Sequence, residues 1–176
     1  MNYILDIPRT AMEVFNMLPE GTLCEVIDNA LYMSPSPTTD HQIILGDIFT
    51  EILLYTKRKN SGKIILSPCD VYLDDEQNVV QPDLIFITQG NTAIVHKKGV
   101  YGSPNMVIEI LSSNKTYDKG TKFELYQRNA IAEYIMIDAD TKTASGYLLV
   151  EGKYHLQSSM PAGQLHIQQL SLTISF

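Results

Sequence analysis

Apolar residues along this chain recur at two spacings, and together the two spacings predict a mixture of helices and strands. Within residues 8–18 the apolar positions fall at helical spacing, and Thr10 stands where an N-cap is expected. From about residue 40 to residue 59, isoleucine and leucine side chains share one helical face. Thr39 or Asp40 is the predicted cap of this second helix, which ends at a polar turn rich in small residues.

Shorter apolar runs bounded by turn-forming residues predict strands. Asp28-Asn29 tolerates positive φ and separates two such runs, which predicts an N-terminal hairpin. Glu151-Gly152 separates two others and predicts a hairpin near the C-terminus. The predicted strands are residues 23–27, 30–33, 63–66, 71–73, a strand after Pro82 that Val79-Val80 leads into, 105–112, 133–137, 147–150 and 154–156.

A further helix is predicted between the strands 105–112 and 133–137, with Asp118 or Thr121 as its cap and an end near Asn129. Helices and strands therefore mix along the chain. This order indicates the α/β class, with a central mixed sheet and helices packed on it. At 176 residues the chain is most simply one domain, residues 1–176.

Composition narrows the class of protein. The hydrophobic fraction is an ordinary 44%, and no run approaches the roughly 20 apolar residues of a membrane span. The N-terminus has neither a basic segment nor a long apolar one, so no secretion signal and no membrane partner are expected. Cys24 and Cys69 lie far apart and outside any zinc-type cluster, which predicts reduced thiols in a cytoplasmic protein.

The charge balance argues against a protein that binds nucleic acid through bulk charge. Asp and Glu total 20 and Lys and Arg total 13, which gives a net charge of −7. A metal-dependent nuclease carries extra carboxylates that bound cations offset, so this balance does not exclude that class. Glycine-rich phosphate loops and the Gly-x-Ser-x-Gly motif are absent from the sequence, which argues against nucleotide-loop enzymes and α/β-hydrolases.

Two carboxylates stand in apolar runs, where removing them from water is costly. Asp83 begins one run and Glu109 lies inside another. Strand alternation places Glu109 on the same face as Val107 and Leu111. A divalent cation held by both carboxylates would compensate for their burial. The structural alternatives are a turn or cap role for Asp83 and a buried salt bridge from Glu109 to a lysine.

Lys122 follows this acidic pair and is placed to stabilise negative charge that develops at phosphorus, although an ordinary surface lysine is the alternative. Tyr126 lies four residues later on the same helix face, where packing is its expected role. Glu25, in an apolar strand, is either a third acid of the cluster or half of a hairpin salt bridge. His41 either contacts phosphate or assists proton transfer, unless it caps or packs its helix.

Taken in order, these motifs resemble the PD-(D/E)XK nuclease superfamily, and within it a family of small bacterial proteins classed as restriction endonucleases. The usual lysine, two residues after the acidic strand residue, is replaced here by Leu111. Lys122 on the next helix takes its place, as in the family that the chain resembles. The segments that carry the resemblance are 25–29, 33–35, 41–42, Pro82-Asp83, 107–113, Asp118, Lys122, Tyr126 and 133–138.

The resemblance implies a restriction-endonuclease-like fold with N-terminal and C-terminal hairpins, and a homodimeric endonuclease that uses Mg²⁺ or Mn²⁺ to cut DNA or RNA. Asp83 and Glu109 would hold the metal, with the carbonyl of Ile110 as a further ligand. Lys122, Glu25 and His41 would complete the catalytic set. A catalytically inactive member that binds nucleic acid or a protein partner is the alternative, favoured by the net charge and the displaced lysine.

Overall fold

The computed structural model describes residues 8–111, 118–157 and 160–176. The helical elements are α1 (Ala11–Phe15), α2 (Thr39–Lys59), α3 (Phe123–Arg128), a π-helical turn at Asp118–Lys122 that leads into α3, and 3-10 turns at Gln89–Ile94 and Gln168–Leu170. The strands are β1 (Cys24–Ile27), β2 (Ala30–Met33), β3 (Gly62–Leu66), β4 (Val71–Leu73), β5 (Asn78–Val80), β6 (Leu84–Thr88), β7 (Val95–His96), β8 (Gly99–Tyr101), β9 (Met106–Leu111), β10 (Glu133–Asp138), β11 (Thr143–Val150), β12 (Lys153–Leu156), β13 (Gln164–Ile167) and β14 (Leu172–Ser175).

The strands form two large mixed sheets. The front sheet has the order β2-β1-β5-β4-β8-β7, and the central sheet has the order β12-β11-β10-β9-β6-β3. Strands β4 and β8 run parallel in the front sheet, and β9 and β10 run parallel in the central sheet. The remaining pairs are antiparallel, including a separate C-terminal hairpin formed by β13 and β14. The predicted α/β class with a central mixed sheet is confirmed.

Alternating side chains of the central sheet pack into two apolar layers. Helix α2 and the C-terminal hairpin cover one face, where Ile108 and Ile110 of β9 are buried. The front sheet and α3 cover the other face, which receives Val107 and Leu111 of β9. Glu109 therefore points into the layer between the two sheets, as strand alternation predicts. Much of the cover expected from helices comes from the front sheet.

Several predicted local signals are present. Asp28 and Asn29 have φ values of 50° and 60°, so they form the tight turn between β1 and β2. The Thr10 hydroxyl accepts a hydrogen bond from the backbone of Glu13 and caps α1. Asn60 adopts the left-handed conformation at the end of α2. The hairpin around Glu151-Gly152 joins β11 to β12.

Other predictions were wrong in detail. Thr38, one residue before the predicted caps, accepts the hydrogen bond from the His41 backbone and caps α2. Thr121 does not cap α3, because it lies inside the π-helical turn and the cap position is Lys122. The side chain of Asp118 and the end of the predicted strand 105–112 lie outside the described residues. The first helix spans only Ala11–Phe15.

Val79-Val80, predicted to lead into the strand after Pro82, belong to a strand of their own. These residues end β5 in the front sheet, whereas β6 belongs to the central sheet. The chain therefore changes sheet across Gln81-Pro82-Asp83, and proline, which has no N–H to donate, suits such a break. This crossing brings Asp83 to the boundary between the two sheets.

A buried carboxylate ties the C-terminal hairpin to the central sheet. Glu133 of β10 accepts backbone hydrogen bonds from Gln168 and Gln169, each at 2.8 Å. Burial raises the pKa of Glu133, while the two backbone donors and His166 oppose the shift.

In the described part of the chain, no helix is long and apolar enough to cross a membrane.

Candidate active site

A buried cluster of two carboxylates and one ammonium lies between the front and central sheets. Lys122 Nζ is 3.0 Å from Glu25 Oε1 and 3.0 Å from Glu109 Oε1. The three side chains are only 4% to 7% exposed. A carboxylate from each sheet therefore meets a lysine from the turn that precedes α3, and the ion pairs connect three separate parts of the chain.

Each member of this cluster reaches it for a local reason. Glu25 lies on β1, on the same face as Ile27, which packs against the central sheet. Glu109 lies on β9 between Val107 and Leu111, which pack in the same layer. Lys122 is the last residue of the π-helical turn, directly before α3. The structure excludes the surface-lysine interpretation, because Lys122 is only 6% exposed.

Tyr126 holds the second donor to Glu109. Its hydroxyl lies 2.7 Å from Glu109 Oε1 and donates to it. Burial, together with the carboxylates of Glu109 and Glu25, raises the pKa of Tyr126 well above its usual value, so the phenol keeps its proton. The sequence predicted a packing role for Tyr126. The shared helix face of Tyr126 and Lys122 was the signal that it also reaches the acidic cluster.

Asp83 and His41 form a second pair at the edge of the cluster. His41 Nε2 lies 3.0 Å from Asp83 Oδ2, and the same oxygen accepts a hydrogen bond from the Ile110 backbone at 2.8 Å. Their side chains are 12% and 15% exposed, so they are more accessible than the Lys122 cluster. His41 lies in the first turn of α2 and reaches Asp83 across the end of β6.

The β6–β9 register shows how the two groups meet. Leu84 pairs with Ile108 in this antiparallel ladder, so continuing the ladder by one residue sets Asp83 opposite Glu109. The backbone N–H of Gln81 donates to Glu25 Oε1 at 2.9 Å. The crossing segment Gln81-Pro82-Asp83 therefore contacts Glu25 at one end and β9 at the other. Nothing in the sequence marked Gln81, since its contribution is a backbone group.

The chemistry of these donors fits a divalent cation. Three carboxylates, those of Glu25, Asp83 and Glu109, face one lysine among the described residues of the site, with a histidine beside Asp83. Buried negative charge in excess is costly unless a cation offsets it. The described residues contain no group of three His, Cys, Asp or Glu side chains arranged to hold a metal. Mg²⁺ can bind a site with so few protein ligands, because it keeps several waters and takes only one or two carboxylates.

The structure thus brings the sequence candidates together in two adjoining groups. Glu25, Glu109 and Lys122 form the buried group, and Asp83 and His41 form the more accessible one. The buried salt bridge considered for Glu109 is present, and its partner is the candidate lysine itself. For Ile110 the described contact is made by the backbone N–H, which binds Asp83; its carbonyl stays a predicted ligand.

Comparisons with known proteins agree with this fold. The model of the Uma2 family, described as "Putative restriction endonuclease", matches residues 12–176. A crystal structure described as "a putative nuclease belonging to DUF820 from Anabaena variabilis ATCC 29413" matches with a TM-score of 0.75 and 19% sequence identity. The match covers 96% of this chain and 95% of the other, and at this identity it shows a shared fold. No curated protein matched the chain.

Proposed function

This chain belongs to the Uma2 family, and on that premise we propose that it is a metal-dependent endonuclease that hydrolyses phosphodiester bonds of DNA. The observation that carries the proposal is the buried Glu25–Lys122–Glu109 cluster beside the Asp83–His41 pair. Three carboxylates close to the Lys122 ammonium suit a cation that binds a phosphate. The family's description and its fold support the reaction class.

Asp83 and Glu109 would hold Mg²⁺ or Mn²⁺, with the carbonyl of Ile110 as a further ligand. When bound, the ion supplies Lewis acidity and a water of lowered pKa. The chain supplies the rest. Tyr126 orients the Glu109 carboxylate through its 2.7 Å hydrogen bond, and the Ile110 N–H orients Asp83.

Lys122 supplies the positive charge. Its ammonium, held 3.0 Å from Glu25, is preorganised to stabilise the charge that develops on the phosphate oxygens. Glu25 acts mainly by positioning this lysine. Its Oε1 forms an ion pair with the lysine ammonium and accepts a hydrogen bond from the backbone N–H of Gln81. His41 lies on the accessible side of Asp83, where it is placed to exchange a proton with water or to contact the phosphate.

A catalytically inactive binding module is the second candidate function. It is favoured by Leu111, which is 7% exposed at the position where the superfamily has its usual lysine, and by the net charge of −7. The same fold would then bind nucleic acid or a protein without cutting. Metal binding and DNA cleavage distinguish the two functions, because the inactive module needs neither.

The test combines calorimetry with a plasmid assay. Metal-free protein is titrated with Mn²⁺, then incubated with supercoiled plasmid or with structured RNA, beside Asp83→Asn and Glu109→Gln. We expect Mn²⁺ binding and plasmid nicking in the parent and the loss of both in the two variants. Asp75→Asn makes the same chemical change in an exposed turn and keeps both. A parent that binds Mn²⁺ but cuts neither substrate would favour the inactive module. Cleavage that survives Asp83→Asn would refute the assignment of Asp83 as a metal ligand.

We also propose that residues 1–176 act as one domain, and that two copies work together because a duplex has two strands to cut. Light scattering of the protein with and without DNA tests the dimer, and a monomer in both states would refute it.

A reducing cytoplasm is the proposed cellular compartment of this protein. Cys24 and Cys69 are free, and burial raises the pKa of both thiols, which keeps them protonated and unreactive.

A further inference from the structure

A cavity of about 290 Å³ lies on the same side of the central sheet as Glu109, outside the cluster described above. Its floor comes from β10 and β11, where Met136 pairs with Ser145. Phe123 and Lys119, from the turn and helix that carry Lys122, form one wall, and Tyr147 closes the far end. The volume is near the lower limit for small-ligand sites, which suits one small planar molecule.

The cavity has a defined position relative to the proposed catalytic centre. Glu109 pairs with Met136 across the parallel β9–β10 ladder, and Met136 pairs with Ser145 across β10–β11. The three residues therefore form one row across the sheet. With neighbouring strands about 4.8 Å apart, Ser145 lies roughly 10 Å from Glu109 along that row. A chain molecule bound at Glu109 can reach the cavity with its next unit.

The lining provides an aromatic surface. Phe123 and Tyr147 meet edge to face with ring centroids 5.0 Å apart, and both are partly exposed. Tyr154 supports the pair from behind, 5.1 Å from Phe123 in a second edge-to-face contact. Rings held in this way present a rigid apolar face, on which a planar heterocycle stacks at little entropic cost.

Among the described residues, the polar lining includes both a cationic and an anionic side chain. Lys119 is exposed at the rim and offers a cation. Asp138 offers carboxylate oxygen, and its Oδ1 is fixed by hydrogen bonds from the backbones of Asp140 and Thr141 at 3.1 Å and 3.2 Å. Ser145 adds a hydroxyl to the lining. A ligand with an anionic group and an amino-bearing ring complements this lining.

We propose that this cavity binds one nucleotide, with its base stacked on the Phe123–Tyr147 pair, its phosphate toward Lys119 and an exocyclic amino group toward Asp138. The proposal rests on the proposed nuclease function for the source of the ligand, which is a nucleotide of the bound strand unstacked from its neighbours. A free mononucleotide has the same chemistry. Carboxylates accept hydrogen bonds from the cytosine amino group, whereas thymine has no amino group to offer.

The first experiment measures binding of free dCMP and dTMP to metal-free protein by calorimetry, so that no cleavage is required. We expect dCMP to bind about tenfold more tightly than dTMP. Ser145→Phe fills the cavity and should weaken dCMP binding about tenfold or more, the value of one stacked base. Lys119→Gln should weaken it as well, whereas Lys153→Gln, the same change at an exposed site on β12, should not. Circular dichroism melting confirms that each variant is folded.

The second arm replaces the mononucleotide with a short single-stranded oligonucleotide. Weaker oligonucleotide binding in Ser145→Phe identifies the ligand as part of a strand, whereas an effect on dCMP alone identifies a free nucleotide. If Ser145→Phe binds both probes as the parent does, or if neither probe binds the parent, the nucleotide site is refuted. Nucleotide binding without plasmid cleavage would refute the nuclease and leave this site standing.

Discussion

Replacing Lys122 with methionine removes the positive charge that, among the described residues, offsets Glu25 and Glu109, both of which lie 3.0 Å from its Nζ. Methionine keeps most of the side-chain length, so the change acts mainly on charge. Removing one partner of a buried ion pair costs about 3–5 kcal/mol, because the other charge is left uncompensated. Here two carboxylates are left, so we expect a loss in the upper part of that range.

The free energy of unfolding is measured by urea titration at pH 7 in EDTA, followed by far-ultraviolet circular dichroism. The matched control is Lys119→Met, the same substitution three residues earlier at an exposed position, which should change stability by less than about 0.5 kcal/mol. The slope of the unfolding free energy against urea should stay constant, which would show that stability changed and not the unfolded state.

A double-mutant cycle isolates the charge effect. Glu25→Gln removes one of the two carboxylates, so Glu25→Gln/Lys122→Met should be more stable than Lys122→Met alone, by about 1–2 kcal/mol. A loss of less than about 1 kcal/mol in Lys122→Met would refute the reasoning. So would a double variant that is less stable than Lys122→Met, because buried carboxylate charge would then not be the cause of the loss.

Two further predictions concern the scaffold. Burial raises the pKa of Glu133 above its ordinary 4.5, so the folded state binds this proton more tightly than the unfolded state does. The contribution of Glu133 to the free energy of unfolding therefore falls as pH rises from 4.5 through the folded pKa. Urea titrations from pH 4 to pH 7 should show that decline in the parent and a flatter profile in Glu133→Gln. An added Cβ at Gly62, where φ is +154°, would lie 2.1 Å from the Ile87 carbonyl oxygen, whereas one at Gly46 meets nothing within 4 Å. Gly62→Ala should therefore lower the melting temperature sharply. Gly46→Ala, inside α2, should raise the free energy of unfolding by about 1 kcal/mol. Equal melting temperatures for the two variants would contradict this prediction.

Local signals in the sequence predicted local structure well. The Asp28-Asn29 turn needs two residues that tolerate positive φ, and both adopt it. The long helix α2 follows its apolar periodicity, because one face packs on the central sheet. The hairpin of β13 and β14 was missed, since its connection at residues 168–171, Gln-Gln-Leu-Ser, has no Gly, Pro, Asn or Asp to mark a turn.

The division into two sheets depends on contacts that the sequence does not display. Val71 pairs with Val100, 29 residues away, and that parallel pairing builds the front sheet. A short apolar strand carries no mark of its partner, because either sheet would bury it. The same limit applied to the site. Asp83 and Glu109 were identified by their apolar surroundings and Lys122 by its place after them, but the sequence does not show that Glu25 faces them from a different sheet.

The buried cluster is costly for this fold, and that cost is itself evidence about its role. Glu25, Glu109, Lys122 and Tyr126 lie in the apolar layer between the two sheets, among Val107, Leu111 and Leu125. Apolar residues of similar volume at such positions are often neutral or stabilising, by about 1–4 kcal/mol relative to buried ion pairs. Packing alone therefore does not explain why charged residues occupy the contact between the sheets. The catalytic role proposed above would explain them, because a lysine preorganised by two carboxylates in a site of low exposure needs no reorganisation to act on phosphate, unlike a surface lysine.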